Sequence, residues 1–208
     1  MKYDGGRRAF LAALAACLGL LVFLFARRSV DAQMLSERHN PRVNTGLTLS
    51  VAEGNVATIL GEGKLYASDM AALLRDADMK KDDIRDIIVG DGITEIGYDV
   101  FSDCERLQSL KLGRAVARVA TGGLKDCPAL KYLFLPAGLE DVGLDFMGGC
   151  KAALIVTDGP ASRLPKFQNV NKKKRVLENV DSLEALLAAA GGDDLPAGVA
   201  SWWQGEGT

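Results

Sequence analysis

The sequence offers little material for acid–base, metal or nucleic-acid chemistry. Its 208 residues include one His and four Cys, and 25 Lys and Arg against 27 Asp and Glu give a net charge of −2. That balance gives no electrostatic case for a nucleic-acid partner, and 6% aromatic residues argue against a platform on which bases stack. The sequence shows no nucleophile with a base, no phosphate-binding glycine loop and no paired carboxylates. We therefore expect a protein that is not an enzyme and that needs no cofactor or metal.

One long apolar run is present near the amino terminus. Residues 9–26 read AFLAALAACLGLLVFLFA, with arginine pairs at 7–8 and 27–28. As a helix, this run spans about 27 Å, close to the hydrocarbon thickness of a bilayer. Residues 1–32 are therefore predicted to be a signal peptide or a signal-anchor helix. The rest of the chain is expected either anchored in the membrane and facing the extracytoplasmic side, or secreted to the cell surface after cleavage.

Three details of this leader stay open. Residues 30–32 offer small side chains for a signal peptidase, although Arg27 and Arg28 are more typical of a stop-transfer flank. The string ending at Cys17 resembles a lipobox, and residues 7–11 resemble a twin-arginine export signal. Cleavage, lipidation at Cys17 and retention as an anchor are therefore alternatives.

Composition divides the remainder of the chain into segments of different character. The predicted segments are a linker at 33–46, an amino-terminal cap at 47–83, repeats at 84–160, a basic segment with a capping helix at 161–192, and a flexible tail at 193–208. Within the cap we expect two strands over 47–65 and a helix over 68–78. A second helix is predicted over 182–190, after a capping box. The basic cluster at 172–175 is interpreted as a solvated surface, and His39 of the linker is given no role.

The strongest pattern is an internal repeat of 23 residues with units at 84–106, 107–129 and 130–152, and a partial unit at 153–160. Seven apolar or cysteine columns align between the units, and the first six positions of each read L-x-x-L-x-L or a close variant. One unit buries apolar side chains worth roughly 10–20 kcal/mol, whereas ordering its residues costs about 1–2 kcal/mol each. A single unit therefore does not fold alone, and stacked units are expected. The pattern predicts a solenoid of 23-residue coils, with a short parallel β-sheet and with turns or short helical segments.

At these columns the chain resembles the BspA-like leucine-rich repeat family. The matching strings are Ile96-Gly97, Val100-Phe101, Cys104-Glu105-Arg106-Leu107 and Cys127-Pro128-Ala129-Leu130, and the resemblance covers about residues 47–160. Members of the family are mostly secreted or surface proteins that resemble adhesins. The resemblance therefore implies a module that recognises a protein or a glycan outside the cytoplasm. The alternative is a structural component of the cell envelope that self-associates through the solenoid.

The repeat cysteines Cys104, Cys127 and Cys150 occupy one column and should lie in a row. Parallel side chains without a histidine do not converge as metal ligands do. We expect buried, unpaired thiols. A disulfide between neighbours is the alternative, because disulfides form in the oxidising compartments to which proteins are exported. Their redox state stays open.

Candidate partner-binding residues follow from the alternation of side chains along each strand. If the fourth and sixth columns point inward, the third and fifth point outward. The candidates share such an outward position: Ile88, Lys111, Tyr132, Phe134 and Ile155. An exposed apolar strip of this kind usually meets another molecule. The alternative is that the carboxy-terminal segment with Trp202 and Trp203 folds over the strip as a lid.

Overall fold

The computed structural model describes residues 44, 46–150, 154–166, 175–190, 195 and 197–203. The predicted leader with its candidate lipidation site, His39 and most of the basic cluster lie outside these residues. Among the described residues, no helix has both the length and the apolar character needed to cross a membrane.

The described part contains eleven short strands and three α-helices. The strands are β1 (Thr48–Ala52), β2 (Val56–Leu60), β3 (Gly63–Leu65), β4 (Asp86–Val89), β5 (Ile93–Ile96), β6 (Ser109–Lys111), β7 (Arg118–Val119), β8 (Tyr132–Phe134), β9 (Asp141–Val142), β10 (Leu154–Val156) and β11 (Val176–Leu177). The helices are α1 (Ala67–Asp76), α2 (Leu183–Ala190) and α3 (Ala197–Ala200), and short 3-10 turns lie at Lys81–Asp83, Ala161–Arg163 and Ser201–Trp203.

The strands form two sheets that run side by side through successive coils. A seven-stranded sheet has the order β1-β2-β4-β6-β8-β10-β11, and a four-stranded sheet has the order β3-β5-β7-β9. In the seven-stranded sheet, Leu110 pairs in parallel with Ile87 on one side and with Leu133 on the other. Ile87, Leu110 and Leu133 occupy the same column of three consecutive repeat units. The predicted solenoid of stacked 23-residue coils is therefore confirmed.

The four-stranded sheet was not predicted from the sequence. Val119 pairs in parallel with Ile96 and Val142, so each coil contributes a second strand after the first. The sequence predicted a single parallel sheet and missed the second one because its strands are only two to four residues long. Ile96, Val119 and Val142 occupy one column of the repeat, and β-branched residues favour a paired, half-buried strand as well as a place in a core.

A third row of hydrogen bonds joins the coils on the side that carries no strand. The backbone N–H of Phe101 donates to the carbonyl of Gly123 at 3.0 Å, and that of Leu124 donates to the carbonyl of Phe146 at 2.9 Å. The same bond therefore recurs one coil later. Buried backbone groups need partners, and the stacking supplies them on all three sides of a coil.

A left-handed backbone position recurs in these turns. Asp99, Gly122 and Asp145 occupy the same column and have φ values of 53°, 70° and 60°. Glycine enters this region without strain, and Asp is among the few other residues that adopt it readily. A Cβ at Gly122 would also lie 2.3 Å from Oδ1 of Asp99. The turn thus fixes which residue types each coil carries at this point.

The three repeat cysteines lie buried in the coil core and form no disulfide with one another. The Cys127 thiol donates to the carbonyl of Phe101 at 3.1 Å, and the Cys150 thiol donates to that of Leu124 at 3.0 Å. Each thiol therefore reaches back to the preceding coil. The neighbouring Cys104 raises the pKa of Cys127 to about 12, and the same contact lowers the pKa of Cys104. The cysteine column is thus a row of buried thiols that form hydrogen bonds.

The amino-terminal end of the solenoid is closed by β1 and α1. β1 pairs antiparallel with β2, and β3 follows, so the region predicted to hold two strands contains three. Helix α1 begins after Tyr66, whose backbone N–H donates to Oδ2 of Asp69 at 2.8 Å. Oδ1 of the same carboxylate accepts from the N–H of Asn44 at 2.7 Å. This buried aspartate therefore fixes both the helix start and the entry of the chain.

Candidate binding face of the seven-stranded sheet

The seven-stranded sheet has one side on the core and one side turned away from it. We call the outward side of its central strands the sheet face. Its residues are those at the third and fifth columns of the coils: Asp86, Ile88, Ser109, Lys111, Tyr132, Phe134, Leu154 and Val156. Parallel pairing brings Asp86, Ser109, Tyr132 and Leu154 into one row. Each successive coil therefore contributes one residue to this row.

The position predicted for Ile155 is wrong. Ile155 pairs with the inward-facing Leu133 and is fully buried in the coil core, while Leu154 and Val156 lie on the sheet face. The fourth coil therefore begins one residue earlier than the 23-residue period predicts. A shift of one residue moves every side chain of a strand to the opposite side. Because residues 154–156 are all apolar, the pattern fitted either register.

The predicted exposure of the strip is also wrong. Lys111 is 5% exposed, Tyr132 9% and Phe134 0%, and Ile88 is half-buried at the border of the same cluster. Their burial comes from a second apolar cluster, separate from the coil core. It is built on the sheet face by Tyr132, Phe134, Val156, Leu177, Val180, Leu186, Val199 and Trp202. The candidates on the sheet face, Ile88, Lys111, Tyr132 and Phe134, are therefore covered by other residues of the same chain.

The cover over the sheet face is short and comes from the carboxy-terminal region. Residues 197–203 comprise α3 and the 3-10 turn that follows it, and we call them the clasp. Helix α3 contacts strand β4, and Val199 and Trp202 are 0% and 1% exposed. The lid considered as an alternative from the sequence is therefore present. Helix α2, which begins where Ser182 accepts a hydrogen bond from Ala185 at 3.2 Å, adds Leu186 to the same cluster.

A buried lysine anchors one end of the clasp. The ammonium of Lys111 donates to the backbone carbonyl of Trp202. It also lies 5.7 Å from the ring centre of Phe134 and 5.8 Å from that of Trp203, within the range of cation–π attraction. Removing an ammonium from water is costly, so these contacts are the compensation for its burial.

A buried aspartate anchors the other end. Asp86 is 3% exposed and accepts hydrogen bonds from the hydroxyl of Ser109 and from the backbone N–H of Gly198. Burial raises the pKa of Asp86, and these hydrogen bonds oppose that rise only in part. A Cβ at Gly198 would lie 2.1 Å from the Cβ of Asp86. The clasp therefore approaches the carboxylate at a position that admits only glycine.

Three aromatic rings fill the space between the two anchors. The Phe134 ring meets Trp202 and Trp203 edge-on, with centroids 6.0 Å and 6.3 Å apart, and the two indoles are 5.8 Å apart. Such edge-to-face pairs are favourable beyond the area they bury. Within the described part of the chain, neither buried indole N–H has a hydrogen-bond partner. The clasp is thus well packed but incompletely bonded.

An ionic row lies on the four-stranded sheet, apart from the sheet face. Glu95 pairs with Lys64 and with Arg118, each at 2.9 Å. Burial alone would raise the pKa of Glu95, but the hydrogen bonds and charges of the two cations outweigh it and lower that pKa. This row ties three successive strands together through their side chains.

Of the residues that hold the clasp, Lys111 and Phe134 were candidates from the sequence. Asp86 and Gly198 were not among the candidates, and a glycine in an Ala-Gly-Val-Ala string has no local signal for a contact. Among the described residues, no three His, Cys, Asp or Glu side chains come together in a way that would hold a metal ion.

Comparison with known proteins gives limited similarity. No family model matches the chain, and no curated protein matches it. A similar solved structure is the crystal structure of a leucine-rich repeat protein from Eubacterium ventriosum ATCC 27560, with a TM-score of 0.40 and 18% identity. The match covers 65% of this chain and 43% of that one, so this chain spans less than half of the solved protein's length.

Proposed function

We propose that the chain is a non-catalytic recognition module of the BspA-like leucine-rich repeat type, and that its sheet face binds a protein or glycan outside the cytoplasm. The observation that carries this proposal is the clasp. Lys111 and Asp86 hold backbone groups of a short segment that belongs to no coil. The face therefore has the groups needed to bind an added ligand: two opposite charges and an aromatic surface.

The separation of the two apolar clusters supports this role. The coil core holds the inward columns of the repeats, whereas the cluster beneath the clasp holds only the outward columns and carboxy-terminal residues. The coils therefore keep their core when the clasp leaves. The apolar run at 9–26, with its arginine flanks, supports a membrane tether or an export signal and hence the extracytoplasmic side.

The test uses a chain truncated after Asp194, which lacks the clasp. It is probed with a phage-displayed peptide library and a glycan array, beside the full-length chain. We expect a selected peptide or glycan that binds the truncated chain and loses binding when Tyr132 and Phe134 are both changed to Ala. The proposal fails if a correctly folded truncated chain selects no ligand from either collection.

Self-association is a second candidate, favoured by the edge strand β1. Among the described strands, β1 has β2 as its single neighbour, and most of its side chains are exposed, including Val51 at 40%. An open edge of this kind is a template for pairing with another chain. Sedimentation velocity of the full-length chain should then show dimers or larger species that Val51→Lys abolishes. A monomer at all concentrations rejects this candidate.

A further inference from the structure

We propose that the sheet face is a peptide-binding site that selects a single helical turn with glycine at one position and an aromatic residue four positions later. In this proposal the clasp occupies the site in cis and blocks it until a partner's peptide of the same chemistry displaces it. The proposal deepens the recognition function above and rests on it.

The charges of the site match the two ends of one helical turn. Asp86 accepts from the N–H of Gly198 at the beginning of the turn, and Lys111 donates to the carbonyl of Trp202 at its end. The first N–H groups of a helix carry partial positive charge and the last carbonyls carry partial negative charge. A carboxylate at the first end and an ammonium at the second are the complementary arrangement. Because both contacts are to backbone atoms, they are available to any peptide that forms the turn.

Two side-chain positions add selectivity. Atoms of Asp86 would lie 2.1–2.6 Å from a Cβ built at Gly198, so any larger residue forces the turn away from the carboxylate. Four positions later, the Trp202 ring lies edge-on to Phe134 at 6.0 Å. Residues four apart lie on the same side of a helix, so glycine and the aromatic ring face the sheet together. The motif that the site selects is therefore Gly-x-x-x-aromatic.

The clasp is also built to be displaced. Its tether keeps it at an effective concentration of about millimolar, which favours the occupied state. Against this, the indole N–H groups of Trp202 and Trp203 are buried and have no hydrogen-bond partner in the part of the chain that the structure describes. Relieving one such orphaned donor is worth about tenfold in affinity. A partner peptide with Phe at the aromatic position, or with an acceptor for the indole, therefore binds the face more tightly than the clasp does.

The chain supplies its own spectroscopic probe. Its two Trp residues are Trp202 and Trp203, so a chain truncated after Asp194 contains no Trp. A synthetic peptide of residues 195–204, LPAGVASWWQ, is titrated with this truncated chain while its Trp emission is recorded. We expect a saturable blue shift. A peptide carrying Gly198→Ala should bind at least tenfold more weakly, and one carrying Trp202→Phe should bind at least as tightly as the natural peptide.

Variants of the receptor complete the experiment. Lys111→Met in the truncated chain should weaken peptide binding at least tenfold, while Lys131→Met, which removes an exposed charge, should leave it unchanged. The full-length chain, assayed with a fluorescein-labelled peptide, should bind far more weakly because the clasp competes. As a second Trp-free receptor, the full-length chain carrying Trp202→Ala and Trp203→Ala repeats the titration if truncation disturbs folding.

The outcomes separate this inference from the recognition function. If neither folded receptor binds the peptide, or if the Gly198→Ala peptide binds equally well, the peptide site is refuted. The recognition function then still stands if the library or array selects a ligand that needs Phe134. If the peptide binds as expected but no external ligand is selected, the peptide site is upheld and the recognition function fails.

Discussion

Replacing Trp202 by Ala measures how strongly the clasp holds the sheet face. Its side chain is 1% exposed and meets the Phe134 ring and the neighbouring Trp203. Changing a buried Trp or Phe to Ala in a core typically costs about 3–5 kcal/mol. Here the substitution also removes a buried indole N–H that has no hydrogen-bond partner among the described residues, which recovers about 1–3 kcal/mol. The difference between the midpoints of these two ranges leaves a net loss in docking free energy of about 2 kcal/mol.

That loss falls on the clasp and not on the coils. Trp202 belongs to the cluster on the sheet face, whereas the coil core is a separate set of residues. A shift of about 2 kcal/mol moves the docking equilibrium by about 30-fold toward the undocked state. We therefore expect Trp203, the remaining Trp, to become solvated while the solenoid stays folded.

The assay combines Trp emission with urea unfolding followed by far-ultraviolet circular dichroism. In Trp202→Ala, the emission of Trp203 should move to the red, and the urea midpoint of the coils should change little. Trp202→Phe is the matched control, since it keeps a ring but removes the orphaned donor, and its clasp should stay docked. The reasoning is refuted if Trp203 stays buried in Trp202→Ala, or if the coils unfold together with the clasp.

Three further predictions concern the coils. Leu133→Ala, at a fully buried inward position, should lower the free energy of unfolding by about 2–5 kcal/mol in urea titration. Iodoacetamide at pH 8, with mass mapping of the labelled thiols, should modify Cys104 before Cys127, because the contact between the two thiols lowers the pKa of Cys104 and raises that of Cys127, and the thiolate is the reactive form. Glu95→Gln should destabilise the chain near neutral pH, and the effect should shrink as the pH falls below 4.5. A lowered carboxyl pKa stabilises the fold above its ordinary value of 4.5, and that stability is lost as the pH falls through the folded-state pKa.

Each of these has a control and a contradicting result. Leu144→Ala, at a position 56% exposed, should leave stability unchanged, and an equal loss at both leucines would contradict the stacked core. Equal labelling rates for the two cysteines in the folded chain would contradict the direction of their pKa shifts. A Glu95→Gln effect that stays constant from pH 7 to pH 3 would show that the ionic row contributes nothing through its charge.

The repeat columns could be predicted from the sequence because stacking forces equivalent positions together. Leu110 stands between Ile87 and Leu133 in the sheet, as the 23-residue alignment requires. The alignment failed at Ile155 because three consecutive apolar residues carry no alternation to mark which side chain points inward. The second sheet was missed since its strands are too short to show a period of their own.

The clasp was foreseen as an alternative but its chemistry was not. Two adjacent tryptophans indicate burial somewhere, and Tyr132 and Phe134 indicate an apolar strip that needs cover. The contacts of Gly198 with Asp86, and of Trp202 with Lys111, join residues about ninety positions or more apart. No periodicity connects such distant positions, so these pairs emerge only when the chain is folded.

The most direct test of the account is a measurement of contact between the clasp and the sheet face in solution. In the full-length chain, nuclear Overhauser spectra should show cross-peaks between the ring protons of Phe134 and those of Trp202, whose centroids are 6.0 Å apart. The Phe134→Leu variant has no ring protons at this position, so the cross-peaks that disappear from its spectrum are those of the Phe134 ring. Cross-peaks that vanish in the variant are the predicted result. Solvent-like shifts for both indoles, without cross-peaks to the sheet, would contradict the occupied binding face.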